Sequence, residues 1–270
     1  MINKRELTKV LSLSCVENYF LAWLKQYYDI SKLYGVEFVS MLQIFNDFSF
    51  GATYENYHSL SRLQDVAEEY GITTHQFVKC GIEEALELIG TQTDETLVLI
   101  RVKPCFFANF KRSSWRKDHY LCIDKNLKWV NQYPLSEGVF LRNEFEKVFD
   151  GTICLYRLQN AKTELPNNIV GIIKNARYQT FIFPKNLLSL EEAIGILKIA
   201  RKRLEVLYER DELIARLLHE QNDYLDKLYL QIHLKIMKGQ TFEMNKEELL
   251  NKIDNLMKLE NKVLEGLQNE

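Results

Sequence analysis

The stretch from residue 96 to residue 134, TLVLIRVKPCFFANFKRSSWRKDHYLCIDKNLKWVNQYP, decides the fold. Three of its runs are rich in β-branched and aromatic residues, and they predict strands at Thr96–Val102, His119–Asp124 and Leu127–Gln132. The dipeptide Lys125-Asn126 lies between the last two runs and predicts a tight hairpin. Two later runs of similar character extend the predicted sheet, namely Thr152–Leu158 and Tyr178–Phe183.

Helices are predicted before this sheet. The segment Cys15–Tyr28 contains no Gly or Pro and favours a buried helix with Cys15 at its N-terminus. Further helices are predicted at Leu60–Tyr70, which stops at Gly71, and at Ile82–Ile89. The first half of the chain is therefore expected to be α+β.

The second half is nearly continuous helix-forming sequence. It predicts a hairpin of two long helices, Leu190–Lys238 and Lys246–Gln268, with a break at Gly239 before Thr241. Apolar residues recur at steps of three and four and predict a face that packs on a neighbouring helix: Leu197, Leu204, Leu207, Ile214, Leu218, Leu225, Leu228 and Ile232. We expect a catalytic core at 1–160, a connecting segment at 161–188 that could add a strand, and the helical hairpin at 189–270.

Composition excludes several classes of protein. The 35 basic and 37 acidic residues give a net charge of -2, so no overall cationic field favours nucleic acid or an anionic membrane. No run has the roughly 18 to 20 apolar residues of a membrane span, and we expect a cytoplasmic protein. Five widely spaced cysteines fit neither a disulfide framework nor a zinc ribbon. We expect no bound metal and, without a glycine-rich phosphate loop, no nucleotide cofactor.

Cys15, His119 and Asn131 form the candidate catalytic set. A thiol reacts as the thiolate, and a helix N-terminus facing an imidazole favours that form, which suits Cys15. His119 begins a strand that holds it rigidly. Asn131 lies across the hairpin and can orient the ring, with Gln132 as a competitor for that role. The order Cys, His, Asn is that of papain-like cysteine enzymes.

With Phe106-Phe107 after the first strand, His119 at the next and Asn131 three residues before Pro134, residues 11–158 resemble the papain-fold, C39-like family. The resemblance is greatest to its acyltransferase branch of the butirosin type, which includes cysteine-protease-like amide synthases of the closthioamide type. It implies a papain-like fold, with an N-terminal helix carrying the cysteine and an antiparallel sheet carrying the histidine and asparagine. It also implies transfer of an acyl group from a carrier-protein thioester to Cys15 and then to an amine or diamine, in nonribosomal peptide or related natural-product biosynthesis.

Other residues are assigned roles around this reaction. The loop KRSSWRK suits either a solvated loop or a docking patch for an acidic carrier protein and its phosphopantetheine phosphate, through Lys111, Arg112, Arg116 and Lys117. Five aromatic residues suit either the core or a groove for the acyl group: Tyr54, Tyr57, Phe106, Phe107 and Trp115. No cofactor of the protein's own is expected, because the substrate arrives on the phosphopantetheine of the carrier.

Two departures from the family and two alternatives accompany this hypothesis. The glutamine that donates to the oxyanion in papain-like proteases is replaced by Lys9, which leaves the amide of Cys15 with Asn18 or Gln43 as candidate donors. The family pattern prefers Asp at the position of Asn131. The first alternative is a cysteine peptidase of the same fold. The second is a catalytically inactive interaction protein, and the helical hairpin is also a candidate surface for homo-oligomer formation.

Overall fold

The computed structural model describes residues 2, 7, 14–30, 32–33, 38–53, 63–109, 119–132, 134–166, 182–184, 186–208 and 211–268. These residues form two compact units. We call the first the sheet unit, which comprises Met1–Ile30 and Arg62–Glu164, and the second the helical unit, which comprises Ser31–Ser61 and Leu165–Glu270.

The described part of the chain is α+β, with eight α-helices and one six-stranded sheet. The elements of the sheet unit are α1 (Cys15–Leu24), α3 (Leu63–Glu69), β1 (Thr73–Lys79), α4 (Ile82–Gly90), β2 (Thr96–Val102), a 3₁₀ helix (Pro104–Asn109), β3 (His119–Ile123), β4 (Lys128–Asn131), β5 (Ser136–Val139), α5 (Arg142–Val148) and β6 (Phe149–Leu158). Those of the helical unit are α2 (Met41–Ser49), α6 (Leu187–Leu207), α7 (Glu212–Met237), a 3₁₀ turn (Glu243–Asn245) and α8 (Lys246–Gln268).

The sheet has the strand order β1-β6-β2-β3-β4-β5, and each neighbouring pair is antiparallel. Successive side chains on a strand point to opposite faces. One face carries an apolar core that includes Ile100, Leu121 and Ile153 and is covered by the 3₁₀ helix, α4 and α5. The other face packs against α1, where the ring of Phe20 lies 5.2 Å from that of Tyr156.

The helical unit has a core of its own. One side of α2, which includes Met41 and Phe45, packs with residues of α6, α7 and α8. A buried ion pair lies in this unit: Arg201 Nη2 is 2.5 Å from Glu260 Oε1. Burial acts to raise the pKa of Glu260, but the Arg201 charge and the hydrogen bonds from Arg201, Gln221 and the Met41 amide lower it overall.

The division of the chain expected from composition, 1–160, 161–188 and 189–270, differs from the observed one. The segment around α2 belongs to the helical unit, because the buried face of α2 fits between the long helices. The predicted hairpin is also wrong in its first helix. Asp211 caps a new helix by accepting a hydrogen bond from Ile214 N, so α6 and α7 replace one long helix, and the described part of the unit has three long helices.

The other predicted helices are present, although α1 ends at Leu24 and not at Tyr28. Gly71 and Gly239 have φ angles of +66° and +67° and end helices as expected. The predicted apolar face of the long helices is buried wherever its side chains are described: Leu197, Leu204, Ile214, Leu218, Leu225, Leu228 and Ile232.

The bounds of the strands agree with the predicted ones in some cases and differ in others. Strand β2 has the predicted bounds, whereas β6 begins three residues before Thr152. The connection between β3 and β4 is longer than the predicted Lys125-Asn126, because Leu127 N donates to Asp124 O at 2.9 Å and Leu127 adopts a φ of 57°. In the predicted strand Tyr178–Phe183, residues 178–181 lie outside the described residues. Ile182 is not in a strand, and its amide donates to Asn46 of α2 instead.

Candidate functional site

Helix α1 begins in a fully formed capping box. Ser14 Oγ accepts from Glu17 N at 3.1 Å, and Glu17 Oε2 accepts from Ser14 N at 3.1 Å. The two bonds satisfy groups that a helix start leaves without an intrahelical partner. Cys15 is consequently the first residue of a well-defined helix, where the helix dipole favours an anion.

Helix α1 is tied to the sheet by three side chains. The fully buried Tyr19 accepts from Gln132 N at 2.9 Å and donates to Tyr120 O at 3.3 Å. Trp23 Nε1 on the helix and Tyr27 Oη just beyond its end donate to the same carbonyl, that of Asp94, which lies shortly before β2. These bonds prevent the helix from sliding along the sheet.

The two hydrogen bonds of Tyr19 involve the residues that follow the candidate base and its partner in the chain. Tyr120 follows His119, and Gln132 follows Asn131. Burial raises the pKa of Tyr19 well above its usual value, and the charge of an ionised Cys15 acts in the same direction. The hydroxyl therefore keeps its proton, and the Cys15 thiol is within electrostatic range of it.

His119 and Asn131 form a direct hydrogen bond across the β3–β4 hairpin, with Nε2 of the histidine 2.8 Å from Oδ1 of the asparagine. Asn131 is wholly buried at the end of β4, and His119 is the first residue of β3. Gln132, which the sequence left as a competitor, directs its backbone amide to Tyr19.

The surroundings of Asn131 determine which nitrogen of His119 carries the proton. Asn131 Nδ2 donates to Pro134 O at 3.0 Å and faces Ser136 Oγ at 3.4 Å. A carbonyl oxygen can only accept, so the amide nitrogen must point to Pro134 and Oδ1 must point to the histidine. Nε2 therefore carries the hydrogen in the neutral ring, and Nδ1 retains a lone pair with which to act as a base.

The ring of His119 is held by an aromatic neighbour and kept neutral by burial. Phe107 packs edge to face on it, with 4.8 Å between ring centroids. Burial lowers the pKa of His119 below its usual 6.5, and the hydrogen bond that the ring donates to Asn131 offsets part of this effect. The ring is thus in its basic form at neutral pH.

Three other cysteines are poor nucleophiles for a physical reason. Burial raises the pKa of Cys122 to about 12 and that of Cys154 to about 11. Burial also raises the pKa of Cys80, and the nearby Glu84 adds to the effect. Cys105 is exposed, and its Sγ lies 3.5 Å from Lys147 O.

Strand alternation limits where Cys15 and His119 can meet. His119 and Asn131 belong to the face that carries Leu121 and Trp129, whereas α1 packs on the opposite face. The pair nevertheless lies at the open end of the hairpin, where β3 begins and β4 ends. A thiol at the start of α1 can reach the ring only around that end.

The remaining predicted site residues fall into two groups. Phe106 and Phe107 are largely buried beside the pair, with 5.0 Å between their ring centroids, so both have a packing role. The other predicted substrate and docking residues lie outside the described residues and stay predictions: Tyr54, Tyr57, Trp115, Lys111, Arg112, Arg116 and Lys117.

The two candidate oxyanion donors differ in exposure. Asn18 is buried on α1, and Gln43 is exposed on α2 of the helical unit.

Sequence reasoning missed the roles of Tyr19, Pro134 and Ser136 in supporting the pair. The only available signal was weak: Tyr19 lies one helical turn after Cys15 and so shares its face.

Among the described residues, no group of three or more His, Cys, Asp or Glu side chains is arranged to hold a metal ion. None of the described helices combines the length and the apolar character needed to cross a membrane. Comparison with protein-family models, with curated proteins and with solved structures gives no match.

Proposed function

We propose that this protein is a cysteine-dependent acyltransferase of papain-like fold that makes an amide bond. In this proposal it takes an acyl group from a carrier-protein thioester and transfers it to an amine. The observation that carries the proposal is the His119–Asn131 hydrogen bond, whose geometry leaves Nδ1 of the ring as a base. The buried Asn131 is itself fixed by its bond to Pro134 O, so it can hold the histidine ring in one orientation, as a general base requires.

In the first step, Cys15 loses its proton to His119 and its sulfur attacks the thioester carbonyl. A new carbon–sulfur bond forms to Cys15, the bond to the carrier sulfur breaks, and the carrier thiol leaves with the proton that His119 returns. The positive end of α1 stabilises the oxyanion in the tetrahedral intermediate.

In the second step, the amine attacks the acyl-Cys15 carbonyl and gives a proton to His119. The carbon–nitrogen bond forms, the bond to Cys15 breaks, and the proton on His119 passes to the departing sulfur to regenerate the enzyme thiol. A base with a lowered pKa suits this step, because it is unprotonated and available at neutral pH.

The test uses an acyl group carried as a phosphopantetheine thioester on an acyl carrier protein, with and without a diamine. We expect a mass gain on the protein equal to the acyl group, and loss of that gain with formation of an amide when the diamine is added. Formation of the free acid at the same rate with and without diamine would instead indicate a hydrolase, and a peptide substrate would then be the next probe.

Two variants complete the test. Cys15→Ala should show no adduct. Cys105→Ala, which removes an exposed thiol, should show the same adduct as the wild type and so controls for non-specific acylation. An undiminished adduct in Cys15→Ala would remove the nucleophile assignment.

A further inference from the structure

A cavity of about 490 Å³ opens on the same face of the sheet as His119 and Asn131. Its walls include three aromatic rings and Val148, and Glu144 and Lys147 bring charged groups to its lining. Cavities of about 300–1,000 Å³ that combine aromatic walls with a few polar groups are typical sites for small organic groups. The lining residues all belong to the sheet unit.

The aromatic walls are held in place by packing. Trp129 lies 5.2 Å from the ring of Phe106 and stacks on Phe140 at 5.5 Å. The indole also covers Gly138, where a Cβ atom would come within 2.7 Å of it. Glycine at this position is what allows the tryptophan to lie flat across β5, so the cavity is a formed feature and not a gap between loose side chains.

Two features link the cavity to the candidate catalytic pair, although neither residue of the pair lines it. Phe106 forms one wall and contacts Phe107, which in turn packs on His119 at 4.8 Å. Trp129 is two residues before Asn131 on β4 and so lies on the same face. An acyl chain attached near His119 would have to extend past Phe107 to enter the cavity.

We propose that this cavity binds the apolar end of the acyl group, which makes the preferred substrate a medium-length apolar acyl thioester and not an acetyl group. The inference rests on the proposed function. Each methylene that enters the cavity is expected to raise the acylation efficiency about fourfold, the effect of moving one CH₂ out of water.

The experiment measures single-turnover acylation of Cys15 by acetyl, butyryl, hexanoyl and octanoyl thioesters of N-acetylcysteamine. Octanoyl should exceed acetyl by more than about tenfold, from a few buried methylenes. Lys147→Trp fills the cavity from an exposed position on α5, where Glu144, Lys147 and Val148 share one helix face, and should lower the octanoyl-to-acetyl rate ratio towards one. Leu141→Trp is the matched control, because Leu141 is also exposed but does not line the cavity.

Binding of a non-reactive analogue, in which an amide replaces the octanoyl thioester, is measured in parallel by calorimetry. Acylation without chain-length preference, or a preference that survives in Lys147→Trp, would overturn the cavity assignment and leave the proposed function standing. Binding that weakens in Lys147→Trp, with no acylation by any thioester, would support the cavity and overturn the proposed function. Absence of both would overturn both.

Discussion

The Tyr19→Phe variant removes one hydroxyl and should show how far catalysis depends on the hydrogen bonds that position α1, because the packing of the ring is kept. The ring stays in its buried place, but the hydroxyl that accepts from Gln132 N and donates to Tyr120 O is lost. Each of these backbone groups belongs to the neighbour of a catalytic candidate. The variant therefore loosens the start of α1 relative to His119 and Asn131 without changing either residue.

The magnitude follows from the two bonds. Leaving a partly buried amide without its partner costs about 1–3 kcal/mol, so we expect the sheet unit to lose about 2 kcal/mol of unfolding free energy. A displacement of about 1 Å between nucleophile and base can reduce a rate about 100-fold. We expect the rate of Cys15 acylation to fall between about 10- and 100-fold, with little change in KM, because the acyl group makes no contact with the hydroxyl.

The assay compares Tyr19→Phe with Tyr28→Phe. Tyr28 is also a buried residue of the sheet unit whose hydroxyl donates to a backbone carbonyl, that of Thr163 at 3.0 Å. Both variants should lose stability in urea, but only Tyr19→Phe should lose acylation rate. Equal rates for Tyr19→Phe and the wild type, or an equal loss in Tyr28→Phe, would refute the positioning role.

Four further predictions concern charge and pH. Asn131→Asp should lower the free energy of unfolding of the sheet unit by about 1–3 kcal/mol, because a carboxylate oxygen would face the Pro134 carbonyl that now accepts from the amide. Urea titrations measure this loss, and Asn126→Asp on the exposed turn is the control. The pKa of His119 in the folded protein lies below 6.5, so the unfolded chain binds a proton at this residue first as the pH falls. The free energy of unfolding should therefore decline as the pH falls below 6.5. Urea titrations at several pH values should show a smaller decline in His119→Gln. The rate of Cys15 acylation should reach its plateau by pH 7 for the same reason, and an acid limb centred above 6.5 would contradict the lowered pKa. Arg201→Leu should destabilise the helical unit by about 3–5 kcal/mol, because it leaves the carboxylate of Glu260 buried without its charge partner, and the double variant with Glu260→Leu should recover part of the loss.

The parts of the fold that could be predicted have a strong local signal. Strand β2 is an unbroken apolar run, and Gly239 ends a helix with a positive φ that glycine adopts easily. Strand β1 has no such signal, because it is an edge strand whose residues do not alternate clearly between buried and exposed. The membership of α2 in the helical unit depends on contacts with residues more than a hundred positions away, which no local pattern encodes.

The candidate pair could be identified from the sequence, but its support could not. The spacing of His119 and Asn131 about a short turn is enough to bring them together on a hairpin. The preference for an amide over a carboxylate at residue 131 depends on the carbonyl of Pro134, and the tie through Tyr19 joins residues 101 positions apart in the chain. Such contacts arise only when the helix and the sheet are assembled.

The central claim is that His119 activates Cys15, and alkylation tests it most directly because it needs no knowledge of the substrate. Iodoacetamide is added at pH 7, and the rates at Cys15 and at the exposed Cys105 are followed by peptide mass spectrometry in the same sample. The account predicts that Cys15 reacts about tenfold or more faster than Cys105, as expected for a thiol activated by a base, and that His119→Ala removes this advantage without changing Cys105. A Cys15 rate that His119→Ala leaves unchanged would contradict it.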